Sequence, residues 1–148
     1  GAEVGSDKYE YKLHWLSKVS EYIEQQIHKY NKLVVMGDFN IAPEDRDVHD
    51  PVEWEGNVLV SPLERQALMT LLSPGLKDSF RLFPQEEKLF SWWDYRAAGF
   101  RRNRGLRIDH IFLSQALVEL CLSSKIDKVP RKWERPSDHA PVWIALKN

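Results

Sequence analysis

The chain has a single cysteine, Cys121, in 148 residues. One thiol cannot form an internal disulfide and fits a reducing compartment. It lies in the apolar run Leu117-Val118-Glu119-Leu120-Cys121-Leu122 with no basic neighbour in sequence, so it reads as an inert buried thiol and not as a nucleophile. No apolar stretch approaches the ~18 residues of a membrane span, which argues against a membrane as partner, and no signal-peptide pattern is visible. Repeats, low-complexity tracts and interdomain linkers are missing. None of His14, His28, His49 and His110 has metal-ligand spacing to another histidine, which argues against a zinc site. The acidic run Asp45-Arg46-Asp47-Val48-His49-Asp50 lacks the sixth-position glycine and the distal glutamate of a calcium loop.

What is present is enough for a core. Hydrophobic residues make up 43% and aromatics 11%, a composition that folds, and the length suits a single domain over residues 1–148. The formal charge of −1 is unevenly spread. Residues 1–64 hold 6 Lys/Arg against 13 Asp/Glu, and residues 65–148 hold 15 against 9. The densest basic cluster is Arg96, Arg101, Arg102, Arg104 and Arg107, bordered by Trp92, Trp93, Tyr95 and Phe100. It reads either as a solvated basic loop or as a phosphate-binding surface with aromatic faces for bases or sugars.

Apolar residues at three- and four-residue steps from Tyr9 to Tyr30 predict an amphipathic helix over 8–30. Leu33 to Met36 predicts a buried strand that Gly37 breaks, and the acidic stretch 42–58 predicts a loop. Ser61-Pro62-Leu63-Glu64 is a capping box with proline at the first helical position, opening a helix to about Leu72. Further strands are expected over Leu89–Trp93, Leu106–Leu113, Leu120–Ile126 and Pro141–Leu146. Helices mixed with about five strands predict an α/β or α+β layered domain.

Three strings carry the chemistry. Gly37-Asp38-Phe39-Asn40 puts a carboxylate and an amide just past a strand. Asp38 can take a proton from water, and Asn40 can hold water or a phosphate oxygen without adding repulsion. The same tetrapeptide also reads as an Asx turn. Ser137-Asp138-His139 precedes the last strand. Asp138 suits magnesium, and His139 suits charge growing on phosphate; a strand-start cap with a surface histidine is the plainer reading. Asp109 lies in the apolar strand Ile108–Leu113, where a carboxylate is costly without a partner. His139 is the candidate partner, fixed in its tautomer by that contact; a salt bridge to an arginine is the alternative. His110 should face the other side of the strand from Asp109.

With these strings the chain resembles the C-terminal half of a bacterial exonuclease III, in the endonuclease/exonuclease/phosphatase superfamily. Val4 to Lys12, Met36 to Pro43, Phe90 to Arg96, Asn103 to Asp109 and Pro136 to Val142 all fit the pattern in order. The resemblance implies half of a four-layered α/β sandwich, with one mixed, mostly antiparallel sheet flanked by helices. It implies a DNA repair hydrolase, dependent on Mg2+ with Mn2+ as an alternative, that cuts duplex DNA at abasic sites and from 3′ ends in the bacterial cytoplasm. Asp38 would orient or deprotonate the water, and Asn40 would hold it or the phosphate. Asp138 would ligate the metal, His139 would contact the phosphate, and Asp109 would support His139. Trp92, Leu106 and Ile108 would line the pocket for an extruded sugar, and Arg96, Arg101, Arg102 and Arg104 would lie on DNA. The family's N-terminal half is absent, with its metal-binding Glu, an Asn, a Tyr and the second sheet. The expectation is an inactive or weakly active fragment, which binds the missing half or self-associates through an exposed sheet face including Val34, Met36, Ile111, Leu113 and Ile144. A working minimal nuclease, a non-catalytic DNA-binding module on the Arg/Trp surface and a phosphatase on soluble esters are the competing readings.

Overall fold

The computed structural model describes residues 3–148. Helix α1 (Asp7–Lys29) starts at Ser6, whose hydroxyl accepts from Tyr9 N (3.2 Å). Such a cap contributes about 1 kcal/mol. Tyr9, Leu16 and Ile23 are buried along one stripe of α1, seven residues apart, so the helix shows one face to the core. Strand β1 (Val34–Asp38) follows, then the short helix α2 (Pro51–Trp54) and helix α3 (Pro62–Leu72), which carries the reciprocal Ser61–Glu64 capping box. The remaining elements are β2 (Leu76–Asp78), β3 (Trp92–Trp93), β4 (Gly105–Leu106), β5 (Asp109–Ser114), α4 (Gln115–Val118), β6 (Cys121–Ile126) and β7 (Val142–Leu146). No helix of the described residues is long and apolar enough to cross a membrane.

The expected mixed α/β architecture with antiparallel pairing flanked by helices is present. The strands divide among three small sheets, ordered β1-β5-β2, β3-β4 and β6-β7, in place of a single sheet. The expected strand Leu106–Leu113 is cut at Arg107 and Ile108. Arg107 N donates to Asp47 O (2.9 Å) and Ile108 O accepts from Phe39 N (3.1 Å), so neither group is free for a regular ladder. The stretch 42–58 is more ordered than a plain loop, with a 3-10 turn at Asp45–Asp47 before α2.

Side-chain alternation gives the β1-β5-β2 sheet one covered face and one that is covered only in part. On one, Val35 and Phe112 pack with Leu16, Ile23, Leu68 and Leu71 of the helices. On the other, Ile111 and Leu113 are buried against Leu117, Val142 and Ile144 of α4 and β7. That corrects the expected open face. The β6-β7 hairpin covers the β5 half, Ile144 is only partly exposed, and Val34 and Met36 of edge strand β1 remain open at 39% and 68%.

Candidate active site

Asp38 ends β1 and Asp109 opens β5, and the antiparallel register sets them opposite each other. The turn Ser137–His139 comes alongside through a bridge between Trp92 and His139 and a bond from Trp93 N to Asp138 O (3.1 Å). His139 Nδ1 donates to Asp109 Oδ2 (2.8 Å), and His139 Nε2 lies 3.6 Å from Asp38 Oδ2. The partner expected for Asp109 is therefore the one found. The Asx reading of Asp38 is also realised, because its Oδ1 accepts from Asn40 N (2.9 Å). One carboxylate oxygen shapes the turn while the other faces the imidazole.

The electrostatics follow from this packing. Burial, with the nearby Asp109 charge adding to it, raises the Asp38 pKa, and the Asn40 N–H only partly offsets this. The hydrogen bond to Asp109 raises the His139 pKa, helped by the charges of Asp109, Asp38 and Asp138 and opposed by burial. The imidazole sits among three carboxylates, its Nε2 edge facing Asp38 and Asp138.

Sequence reasoning missed the supports beneath these groups. Asn40 takes a left-handed φ of 52°, which asparagine tolerates better than most residues. Lys12 of α1 bonds both Asn40 O and the buried carboxylate of Glu64, clamping the turn to two helices. Glu64 also accepts from Leu59 N (2.9 Å) and Ser61 Oγ (2.7 Å). Trp92 Nε1 donates to Asp138 Oδ2 (3.1 Å). Lys12, at the correct helical phase, gave no sequence signal of this reach; the capping box gave only the local half of Glu64's role. A groove of about 470 Å³ beside Asp38 and Asn40 is lined by Lys8, Tyr11, Lys12 and Trp15.

The other side of β5 holds a buried charge network. Arg107 is 1% exposed, with Nε donating to Asp47 Oδ1 (2.7 Å) and Nη2 to Asp78 Oδ2 (2.6 Å). His110 does face away from Asp109, as expected. Its Nε2 donates to Ile41 O (2.8 Å), so Nδ1 must accept from Arg107 Nη1 (3.2 Å). Burial and the Arg107 charge push the His110 pKa down to about 4. Burial alone would raise the Asp78 pKa, yet Arg107 holds it below the ordinary value.

The basic cluster therefore divides. Arg107 is a core residue, Arg104 pairs with Glu53 (3.1 Å) and Arg96 with Asp94 (2.7 Å). Among the described residues, Arg101 and Arg102 are exposed and form no ion pair. Leu106 and Ile108, expected at a sugar pocket, are buried with Ala42, Val48 and Val60, and only Trp92 of that trio is partly open. His49 caps the region, its Nδ1 3.2 Å from Gly105 O.

Asp38, Asp109 and His139 bring possible ligand atoms within 4.8 Å of one another; the two carboxylates are hard oxygen donors that suit a small divalent cation, while the imidazole is engaged by Asp109. Asp138, the expected ligand, lies outside that trio with Oδ1 3.9 Å from His139 Nε2. Its Oδ1 is not engaged by Trp92 and faces the same imidazole.

Carboxylates, an amide and an imidazole gathered at strand ends over a layered core define an α/β protein with an acidic, cation-ready site. The chain belongs to the Endonuclease/Exonuclease/phosphatase family, whose model matches residues 2–139. It is 42% identical over 147 residues to exodeoxyribonuclease III of Haemophilus influenzae, covering 95% of this chain and 55% of that protein. It superposes with a TM-score of 0.96 and 41% identity on the 3′ phosphatase NExo from Neisseria, bound to a product DNA hairpin, covering 99% of this chain and 57% of that one. An AP endonuclease from Archaeoglobus fulgidus gives 0.92 at 34% identity, covering 99% and 57%. The chain spans about half the length of the relatives it matches.

Proposed function

We propose that the chain, as a single domain over 1–148, is the C-terminal half of a DNA repair nuclease. Its substrates would be duplex DNA with abasic sites or 3′ ends, its cofactor Mg2+ or Mn2+, and its place the bacterial cytoplasm. The observation that carries this reading is the imidazole of His139 held at 2.8 Å by Asp109 with its free edge toward Asp38. Similarity to the exodeoxyribonuclease III and to the DNA-bound Neisseria structure supports it.

In this reading Asp38 Oδ2 accepts a proton from the attacking water, and the Asn40 amide orients that water or the phosphate. His139 Nε2–H donates to a phosphate oxygen, and Asp109 keeps the ring charged and in place. Asp138 would hold the cation, with Asp38 and Asp109 close by. The bound cation supplies positive charge at the phosphate. Arg101 and Arg102 contact the DNA backbone, with Arg96 and Arg104 behind them in their acidic pairs. Trp92 faces the sugar, and Leu106 and Ile108 form the floor beneath it.

The test is cleavage of duplexes carrying an abasic site or a 3′-phosphate, with magnesium and with a chelator. Chelator-sensitive cleavage is expected, at least ~10³-fold slower than that of a full-length relative. In this reading the Glu, Asn and Tyr that the resemblance places in the other half would each be worth roughly 3–4 kcal/mol at phosphate, with non-additive totals. Asp38→Asn should abolish it while DNA binding persists. Retention of more than a tenth of the rate would sink the assignment. The unpaired Arg101 and Arg102 favour a second reading, a non-catalytic DNA-binding module. Duplex binding with no cleavage at any magnesium concentration would select it.

A further inference from the structure

Arg131 is buried, yet it has no counter-ion among the described residues. Its guanidinium lies 5.7 Å from the ring centre of Trp93, 5.7 Å from Tyr95 and 4.6 Å from Phe100. Its one hydrogen bond runs from Nη1 to Ser137 O (2.8 Å), and its Nε has no partner. A buried cation is costly unless compensated. Among the described residues, three aromatic faces and one carbonyl are what the protein sets against it.

The recipient of that hydrogen bond gives the arrangement its meaning. Three consecutive carbonyls before the last strand are each held from outside the turn. Pro136 O accepts from Tyr95 Oη (2.8 Å), Ser137 O from Arg131 (2.8 Å) and Asp138 O from Trp93 N (3.1 Å). Tyr95, Trp93 and Phe100 are also the rings that cage Arg131. Strand β3, the Arg-rich loop and the turn carrying Asp138 and His139 thus meet at one guanidinium.

We propose that Arg131 is a positioning residue, which locks the Ser137–His139 turn onto the Arg-rich loop and so couples the seating of that loop to the placement of Asp138 and His139. Its effect on cleavage rests on the nuclease reading above; its effect on the turn does not.

Two variants separate the possibilities. Arg131→Met fills the cage without charge or donors, and Arg131→Lys restores the charge and one donor. Amide exchange by NMR is read first on the 148-residue chain without metal or DNA. Arg131→Met should cut protection of the Trp93 amide and the Trp92 indole N–H at least tenfold, leave Leu16 and Ile23 unchanged, and Arg131→Lys should recover part of that protection. Protection within twofold of the unmutated chain overturns the proposal. An equal drop at Leu16 and Ile23 also overturns it, since that marks a general packing role. On a 3′-phosphate duplex, Arg131→Met should lower kcat at least 30-fold with KM within threefold. A rise confined to KM would make Arg131 a DNA contact and refute positioning. If the unmutated chain cleaves nothing, the nuclease reading fails, and the exchange measurement still decides the role of Arg131.

Discussion

Asp38 and Asp109 stand directly opposite each other across the β1-β5 pair. Like charges in that relation destabilise a sheet, and here the His139 ring stands against both carboxylates, Nδ1 on Asp109 and Nε2 toward Asp38. The strain is visible in Asp38, whose pKa is raised by burial and then by Asp109.

An acid with a raised folded-state pKa destabilises the fold above that value, and the penalty disappears below its ordinary value of 3.8. Asp38→Asn should therefore raise the melting temperature at pH 7, with the gain shrinking as pH falls toward 4. Calorimetry across that range checks it; a variant less stable than the parent at pH 7 contradicts the assignment.

The two histidines on this strand system should pull stability in opposite directions. His110 is held neutral, its pKa near 4. Its contribution is full above pH 6.5 and is lost as pH falls toward 4, by about 3 kcal/mol at ~1.4 kcal/mol per unit. The His139 pKa is raised, so its contribution is full below pH 6.5 and is lost as pH rises through the raised value. Urea unfolding against pH should show a weaker acid-side slope in His110→Gln and a weaker slope above pH 6.5 in His139→Gln. Matching slopes in all three proteins would show that neither ring is set as described.

The arginines of one sequence cluster should separate cleanly. Arg107→Met leaves the largely buried Asp78 without its cation and Asp47 with Arg81 alone, and breaking such a network costs about 3 kcal/mol. Arg101→Ala and Arg102→Ala should change stability by no more than ~0.5 kcal/mol. They should instead flatten the salt dependence of duplex binding by up to about 0.9 for each phosphate no longer neutralised. An unchanged salt slope would return both to the role of solvated surface charge.

Val34 and Met36 lie on an edge strand, a geometry that invites pairing with another chain. Sedimentation at micromolar concentration should show self-association through this edge. Val34→Glu with Met36→Lys should favour the monomer. A parent protein that sediments only as a 17.4 kDa monomer removes this expectation.

Much of the site was legible because strand ends announce themselves. Gly37 after a short apolar run placed Asp38, and Pro136 before Ser137 placed the turn with His139. The pairing of Asp109 with His139 followed from the cost of a carboxylate inside an apolar strand. Arg107 was not legible as a core residue, because a run of arginines does not reveal which one turns inward. That choice was made by Asp47 and Asp78, 60 and 29 residues away in sequence. Strand β2 is only three residues long and carries no alternation to read. The extent of the uncovered sheet face was not legible either, because nothing in the apolar runs of β6 and β7 assigns them to a separate hairpin. They fold over the first sheet instead of extending it.

The adjacent indoles of β3 give the molecule two optical probes with different subjects. Trp93 is wholly enclosed beside Phe100, so its emission reports whether the core is intact. Trp92 bonds a carboxylate at the site, so its emission reports the charge and occupancy around Asp138. Because the chain has six tryptophans, Trp92→Phe and Trp93→Phe difference spectra isolate the two signals and let fluorescence follow binding and unfolding as separate events.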